Sequence, residues 1–394
     1  MLYKILFSIS VFLIFYIYIG YFIFLLILSK ILKKSIQEPI VLRDDELPNV
    51  TLFVAAWNER DFIPEKVKNS LHLDYPKDKL TLLWVTDGSD DGSDELLKTY
   101  PELTVLHEPQ RNGKIGAMNR GMKYVTSPIV VFCDANTYLN KDAIKEIVSV
   151  FNDPNVGCVA GEKRIFSFEK DSATGAGEGF YWKLESLLKK TESKLGSTVG
   201  AAGELFSIRT ELFQEVEADT ILDDFLISMR IASKGYKVKY NPQAIATEMS
   251  SATISDELKR KSRIAAGGFQ TIFRQLALLN VFKNPWLTFT FCSHKVLRWT
   301  ILPIAFLVAF LSNMLLFYTI QSPLFSILFY SQVLFYLFAC IGLVLQNKSI
   351  KWKIFFVPYY LTMMNHAIVL GFFKFLRKKQ SVNWTRANRA SQKV

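Results

Sequence analysis

Apolar and polar positions divide this chain into three regimes. Between Lys4 and Lys30, 25 residues carry no formal charge. As a helix rising about 1.5 Å per residue, that run is long enough to cross a hydrocarbon core of about 30 Å with some tilt. A cleaved signal peptide would have an apolar region of only about 7–15 residues ending at small residues. This run is longer and ends in Lys30, Lys33 and Lys34, so a retained anchor is expected over 1–34. The second apolar regime starts after Arg298. No charged residue occurs from Trp299 to Asn347, 49 positions broken by Gln321-Ser322-Pro323, which predicts two spans joined by a short turn. A further run of 20 residues, Ile354 to Phe373, contains Pro358, Asn365 and His366 and reads as a span or as a helix lying partly at the interface. Just before these, Phe282–Lys295 mixes Trp286, Phe289 and Phe291 with Lys283, His294 and Lys295. Such a mixture suits a helix lying along lipid headgroups, and 281–295 is expected to be one.

The regime between, about 46–280, has ordinary polarity. Short β-rich runs (Val50–Ala56, Leu80–Thr86, Thr104–Leu106, Ile129–Cys133, Gly157–Ala160) alternate with helical patterns near Phe62–Leu71, Lys114–Val125 and Asp142–Phe151. Alternation of this kind predicts an α/β domain with a mainly parallel sheet, whose ligand lies beyond the carboxyl ends of the strands. The expected division is therefore an anchor (1–34), an α/β domain (46–280), an interfacial helix (281–295), C-terminal membrane helices (296–376) and a basic tail (377–394). Basic residues after the first span, with only Lys4 before it, place the α/β domain in the cytoplasm. Four full spans would then leave the C-terminus outside, against the positive charge of Lys374, Arg377, Lys378, Lys379, Arg386, Arg389 and Lys393.

Composition agrees with this division. The 394 residues are 50% hydrophobic, 14% aromatic and 21% charged, where soluble domains usually carry about 25% charged residues. The 47 Lys and Arg exceed the 36 Asp and Glu by 11. Much of that excess lies in the tail, the membrane flanks and Lys259–Arg263, so a nucleic-acid partner is not expected. Cys133, Cys158, Cys292 and Cys340 form no CxxC pair, which gives no support to a disulfide scaffold or zinc site.

The chemistry sits at strand ends. Trp57-Asn58-Glu59 follows the first strand, Asp87-Gly88-Ser89-Asp90-Asp91-Gly92 the second, and Asp134-Ala135-Asn136 the strand at 129–133. One such Asp alone would be read as a cap or an Asx turn; three together form a constellation. A calcium loop starting at Asp87 fails, because position 12 is Lys98 where a bidentate Glu is needed. A phosphate loop at Gly113-Lys114 fails because Ile115 replaces Ser/Thr, and no GxGxxG follows any strand.

The order Asn58-Glu59, Asp87-Gly88-Ser89, Asn112-Gly113-Lys114, Asp134-Ala135-Asn136, Asp223-Asp224 and Arg260–Arg263 resembles the membrane-bound family 2 glycosyltransferases, the group of cellulose and hyaluronan synthases. The resemblance covers roughly 50–270. It implies a GT-A-like α/β fold with transmembrane helices at both ends, a nucleotide-sugar donor (usually a UDP-sugar), and inversion at the anomeric carbon. It further implies Asp224 as the base, with Asp223 beside it. Ala55, Ala56, Glu59, Asp87, Lys114, Asp134 and Arg263 would surround the donor nucleotide. Asp134 and Asn136 would take Mg²⁺ or Mn²⁺. Gly203, Glu204, Arg260 and Gln270 would lie toward the acceptor. Two departures stand out. Asn136 replaces the second Asp of Asp-x-Asp, lowering the charge offered to a metal. Arg260-Lys261-Ser262-Arg263-Ile264 replaces Gln-x-x-Arg-Trp, so the indole that stacks on the acceptor sugar is absent.

The sequence therefore points to an integral protein of the cytoplasmic membrane that transfers a sugar from a nucleotide donor to a lipid-linked or polysaccharide acceptor. One rival is a processive synthase that also conducts its polymer; three or four helices form a narrow pore at best, so it would need a second copy or an envelope partner. The other is a catalytically inert scaffold that binds nucleotide sugars, which Asp87, Asp134 and Asp224 argue against.

Overall fold

A computed structural model describes residues 1–33, 42–166, 173–249, 253–320, 322–345 and 353–378, with the backbone alone at 173–181 and 353. The basic tail from 379 onward lies outside these residues.

The chain enters through α1 (Leu2–Phe15) and α2 (Tyr21–Ile31), which a π-helical turn at Tyr16–Gly20 joins into one helix of 30 residues. The α/β domain then runs β1 (Val50–Ala56), α3 (Ile63–Leu71), β2 (Leu80–Asp87), α4 (Ser93–Lys98), β3 (Leu103–Glu108), α5 (Gly113–Met122), β4 (Ile129–Asp134), β5 (Tyr138–Leu139) and α6 (Ala143–Val150). It continues through β6 (Val156–Phe166), α7 (Ala173–Leu195), β7 (Leu205–Arg209), α8 (Asp223–Ser233), β8 (Lys237–Met249) and α9 (Ile254–Arg274). After it come α10 (Pro285–Phe291), a second π-helical turn at Cys292–Val296, α11 (Leu297–Ile320), α12 (Pro323–Leu345) and α13 (Lys353–Leu376).

The eight strands form one sheet in the order β3-β2-β1-β4-β7-β6-β8-β5. β1, β2, β3 and β4 are mutually parallel, as is β6 with β8, while β7 is antiparallel to both neighbours and β5 to β8. The parallel half is covered on both faces, which is why β1 and β4 read as unbroken apolar runs. β7 and β8 escape that pattern. β8 contains Pro242, which has no N–H for the ladder, and the β6–β8 register jumps at Gly161/Glu162, where the extra residues are absorbed as a bulge.

Among the described residues, four helices are long and apolar enough to cross a membrane: Leu2–Ile31, Pro285–Ile320, Pro323–Leu345 and Ile354–Leu376. Their contacts revise two expectations. The segment 281–295 is not a separate helix on the headgroups. Its residues from Pro285 onward are the first turns of the 36-residue helix Pro285–Ile320, capped by the Asn284 side chain, which accepts from the Leu287 N–H at 3.2 Å. Phe289 packs on Tyr21 and Phe24, and Phe291 is fully buried against the sheet domain. Lys295 and Arg298 face Glu185 of α7 at 2.5 and 3.1 Å instead of lipid phosphates. A buried carboxylate provides these cations with a stronger partner than a hydrated headgroup does.

The second revision concerns the last helix. α11 runs away from the domain alongside α1, and α12 returns antiparallel to it, with Phe317 on Phe329 and Asn313 donating to Gln332. α13 then runs in the same sense as α12: Phe355 meets Phe338, and Tyr359 lies over Gly342. Its last turns rest on α9 of the α/β domain, where Phe375 stacks on Phe269 and Phe273 and Lys374 donates to Ser262 at 2.7 Å. The chain thus leaves α13 beside the domain, and the parity conflict disappears. In inverted vesicles, single cysteines replacing Lys98 and Lys378 in a cysteine-free background should react alike with a membrane-impermeant reagent. Opposite reactivity would show that α13 crosses completely.

Candidate active site

The carboxyl ends of β1 and β4 and the start of α8 meet in a cavity of about 630 Å³, closed on one side by α9, α11 and α13. A volume of this size suits a nucleotide-sized ligand. β4 ends in Asp134, and the turn after it carries Asn136; both line the cavity. Lys66 of α3 holds that turn from beneath. Fully buried, its ammonium donates to the Thr137 carbonyl at 2.7 Å and to Cys133 Sγ at 3.0 Å. Nothing in the local pattern of α3 distinguishes Lys66 from a surface lysine, and sequence reasoning missed it.

Lys114, in the first turn of α5, reaches across to Asp134 at 2.9 Å and Asp223 at 3.3 Å. Burial works against its charge, but the two carboxylates outweigh that and hold its pKa above the ordinary value. Asp134 is displaced upward, chiefly by burial, with Lys114 opposing. Asp223 and Asp224 are the first two residues of α8, after an extended Leu222. The free N–H groups of a helix start fix carboxylates there. Asp224 is pushed up to about 7, first by burial and then by repulsion from Asp223, with Lys114 opposing. Gly203 faces this carboxylate: a β-carbon there would lie 3.4 Å from Asp224 Oδ2 and 3.5 Å from Lys114 Nζ, so its hydrogen keeps the approach open.

Arg263 also lines the cavity, facing Asp223, Asp224 and Asp134, with burial lowering its pKa. Glu204 and Arg260 line it as well, yet both are engaged in ion pairs. Glu204 pairs with the buried Lys163, and Arg260 with Glu257 at 3.1 Å and Glu248 at 3.7 Å. Gln270, expected near the acceptor, is instead outside the lining. Its amide accepts from the Ile221 N–H at 3.0 Å and donates to the Asp219 carbonyl at 2.8 Å, bracing the loop before Asp223. Gln270 lies two helical turns beyond Arg263 on the same face of α9, about 10 Å along the axis, which carries it past the cavity to the 219–221 backbone.

A smaller recess joins the cavity through Ala55 and Lys114 and includes Ala56, Asp87, Trp57 and Arg111. Asp87 is almost fully buried and accepts the N–H groups of Asn112 and Gly113, at 3.0 and 2.6 Å. Burial raises its pKa, and these N–H groups with Arg120 oppose the shift. Arg111 lies over the Trp57 ring at 3.4 Å, forming a flat cationic platform that sequence reasoning did not single out. Glu59, also buried, lines the larger cavity and not this recess.

Among the described residues no three His, Cys, Asp or Glu side chains group as a metal site. Asp134 and Asn136 nevertheless offer two hard oxygen donors at the cavity wall. That is a fitting protein share for Mg²⁺ or Mn²⁺, which complete their shells with water and phosphate oxygens.

Strand ends bearing acids, a helix start presenting paired carboxylates, and cations on the same cavity wall define the class: a GT-A-like glycosyltransferase domain joined to membrane helices. Residues 51–216 match the family described as glycosyl transferase family 2. A poly-beta-1,6-N-acetyl-D-glucosamine synthase of Staphylococcus aureus is 27% identical over 254 residues, 62% of this chain and 61% of the synthase. Its counterpart in Staphylococcus epidermidis is 23% identical over 252 residues. The match thus spans about three fifths of these relatives. Among solved structures, the mannosyltransferase PcManGT from Pyrobaculum calidifontis, in complex with GDP-Man and Mn²⁺, superposes with a TM-score of 0.73. It is 24% identical and covers 95% of this chain and all of that one, which establishes a common fold.

Proposed function

We propose that this protein transfers a sugar, with inversion, from a nucleotide-sugar donor (a UDP-sugar in the first instance) to a lipid-linked or polysaccharide acceptor at the cytoplasmic face of the membrane. The observation that carries this reading is the cavity itself, which unites Asp224, Arg263 and Asp134 with residues of the membrane helices α11 and α13 in one lining.

The chemistry follows from the groups present. The acceptor hydroxyl attacks the anomeric carbon, giving its proton to Asp224 as the new C–O bond forms. The bond from that carbon to the diphosphate oxygen breaks on the opposite face. A carboxylate with a pKa of about 7 is matched to this task. Arg263 and Lys114 supply positive charge to the departing diphosphate. Asp134 and Asn136 would hold a divalent cation, which when bound neutralises further diphosphate charge. Asp87 and the Arg111–Trp57 platform would receive the ribose and base.

A panel of radiolabelled nucleotide sugars, given to the purified protein in lipid, tests the proposal. Sugar should be released or transferred from at least one donor, with activity lost on chelation. Release from none identifies a binding scaffold, and long products identify a processive synthase. Within the same assay Asn136→Asp should lower the metal concentration needed for half-maximal activity, because it restores a full charge. An unchanged titration would mean other groups hold the metal.

A further inference from the structure

Lys189 of α7 lines the cavity and is 4% exposed, yet among the described residues no hydrogen bond or ion pair reaches its ammonium. A lysine so buried is normally paired, because desolvating an ammonium without a partner is costly. Its surroundings make the need sharper. Lys295 and Arg298, also on the cavity wall, both draw on Glu185, at 2.5 and 3.1 Å, and His294 contacts the same carboxylate at 3.0 Å. The nearby Glu192 is engaged by Tyr21, His294 and Thr198 and does not reach Lys189. Glu162 acts on Lys189 only from a distance and is shared with Arg164, so among the described residues Lys189 remains a buried cation with no counter-charge in direct contact.

Lys189 lies close enough to Lys295 to repel it, which sets it at the membrane end of the cavity. Lys295 lies in the π-helical turn and Arg298 in the first turn of α11; Trp299 and Ile368 continue the wall as apolar surface shared by α11 and α13. We infer that this end of the cavity binds the phosphate group of a lipid-borne acceptor, with Lys189 as its direct contact and the Trp299–Ile368 surface receiving the first carbons of the tail. This rests on the proposed function and narrows its acceptor to a lipid phosphate. A free phosphate would satisfy the cations but would leave the apolar wall without a partner.

The test uses the full-length protein in phosphatidylcholine nanodiscs, with farnesyl phosphate, farnesol and inorganic phosphate as probes and UDP as a control. Farnesyl phosphate should bind at least about tenfold more tightly than either other probe, since charge and tail both contribute. Lys189→Met should weaken farnesyl phosphate by about tenfold or more, leave UDP within about twofold, and be rescued in part by Lys189→Arg. Without ligand, Lys189→Met should melt no lower than the wild type, because it removes an unpaired buried charge. A lower melting temperature with unchanged farnesyl phosphate affinity would make Lys189 structural and overturn the inference. Equal binding of inorganic and farnesyl phosphate would assign the site to a soluble anion, and parallel loss of UDP would assign it to the donor diphosphate. Both outcomes reject the lipid acceptor. Binding needs no turnover, so an inactive donor panel would reject the proposed function without deciding this site, and a negative binding result would leave sugar transfer standing.

Discussion

Replacing Asp224 by Asn should reduce turnover by about 10²–10⁴ while leaving UDP affinity within a few fold, because it deletes a general base and no phosphate contact. The pH profile provides a second check. Asp224 accepts a proton only when ionised, so kcat/KM of the wild type should rise with pH to a plateau, with a midpoint at about 7. Stability should move the other way. The folded protein holds the Asp224 proton more tightly than the unfolded chain, whose carboxyl has its ordinary value near 3.8. Stability is therefore lost as pH rises between those two values. The neutral Asn variant avoids that loss, and its melting temperature should match the wild type near pH 4 and exceed it increasingly toward pH 7. Comparable loss of UDP affinity, or no stability gain at neutral pH, would show that Asp224 is structural and not a strained base.

The largest effect on stability is expected at Lys163. This lysine of β6 is buried between Glu204 and Glu248 and lies under the Trp182 ring, its ammonium 4.8 Å from the ring centroid. Lys163→Met removes the charge that compensates two buried carboxylates, at a cost of about 3–5 kcal/mol. For a domain of this size that is a fall of about 10 °C in melting temperature. Glu204 reports the same interaction: burial would raise its pKa, but Lys163 and then Arg260 bring it down to about 2. A depressed carboxylate contributes stability that is complete above its unfolded value of 4.5 and lost as pH falls toward 2. The wild type's advantage over Lys163→Met should shrink over that window. Adding Glu204→Gln and Glu248→Gln should recover much of the lost stability, since no charge is then left unpaired. Failure of that recovery in thermal melts would locate the loss in packing around Trp182 and not in charge.

The parallel half of the sheet was readable from residue order because its signals are local. An unbroken apolar run needs two covered faces, and a polar residue at its carboxyl end is exposed to the ligand side, whatever the rest of the chain does. β1, β2 and β4 with Glu59, Asp87 and Asp134 follow that rule, and α8 does so with its paired aspartates. β8 was missed because its Pro242 is tolerated only through a bulge against β6, a property of the pair and not of either strand. Gln270 was misplaced for a similar reason: position in a motif does not say how far along α9 the cavity extends.

The four apolar helices were equally legible, since length and lack of charge suffice to recognise a span. Their directions were not. Packing of α13 against α12 and α9, through Gly342, Phe269 and Phe273, returns the chain to the domain side. Burial of Lys66, Lys163 and Lys189 was likewise decided by tertiary structure. A lysine in sequence is indistinguishable from any other, and only the fold determines whether its ammonium meets a carbonyl, two carboxylates or an open cavity. The residues themselves specify strands, spans and the acids at strand ends, because those depend on neighbours a few positions away. Which charges are paired, which face lipid, and which are left to a ligand depends on segments brought together from across the chain, where desolvation makes each pairing decisive.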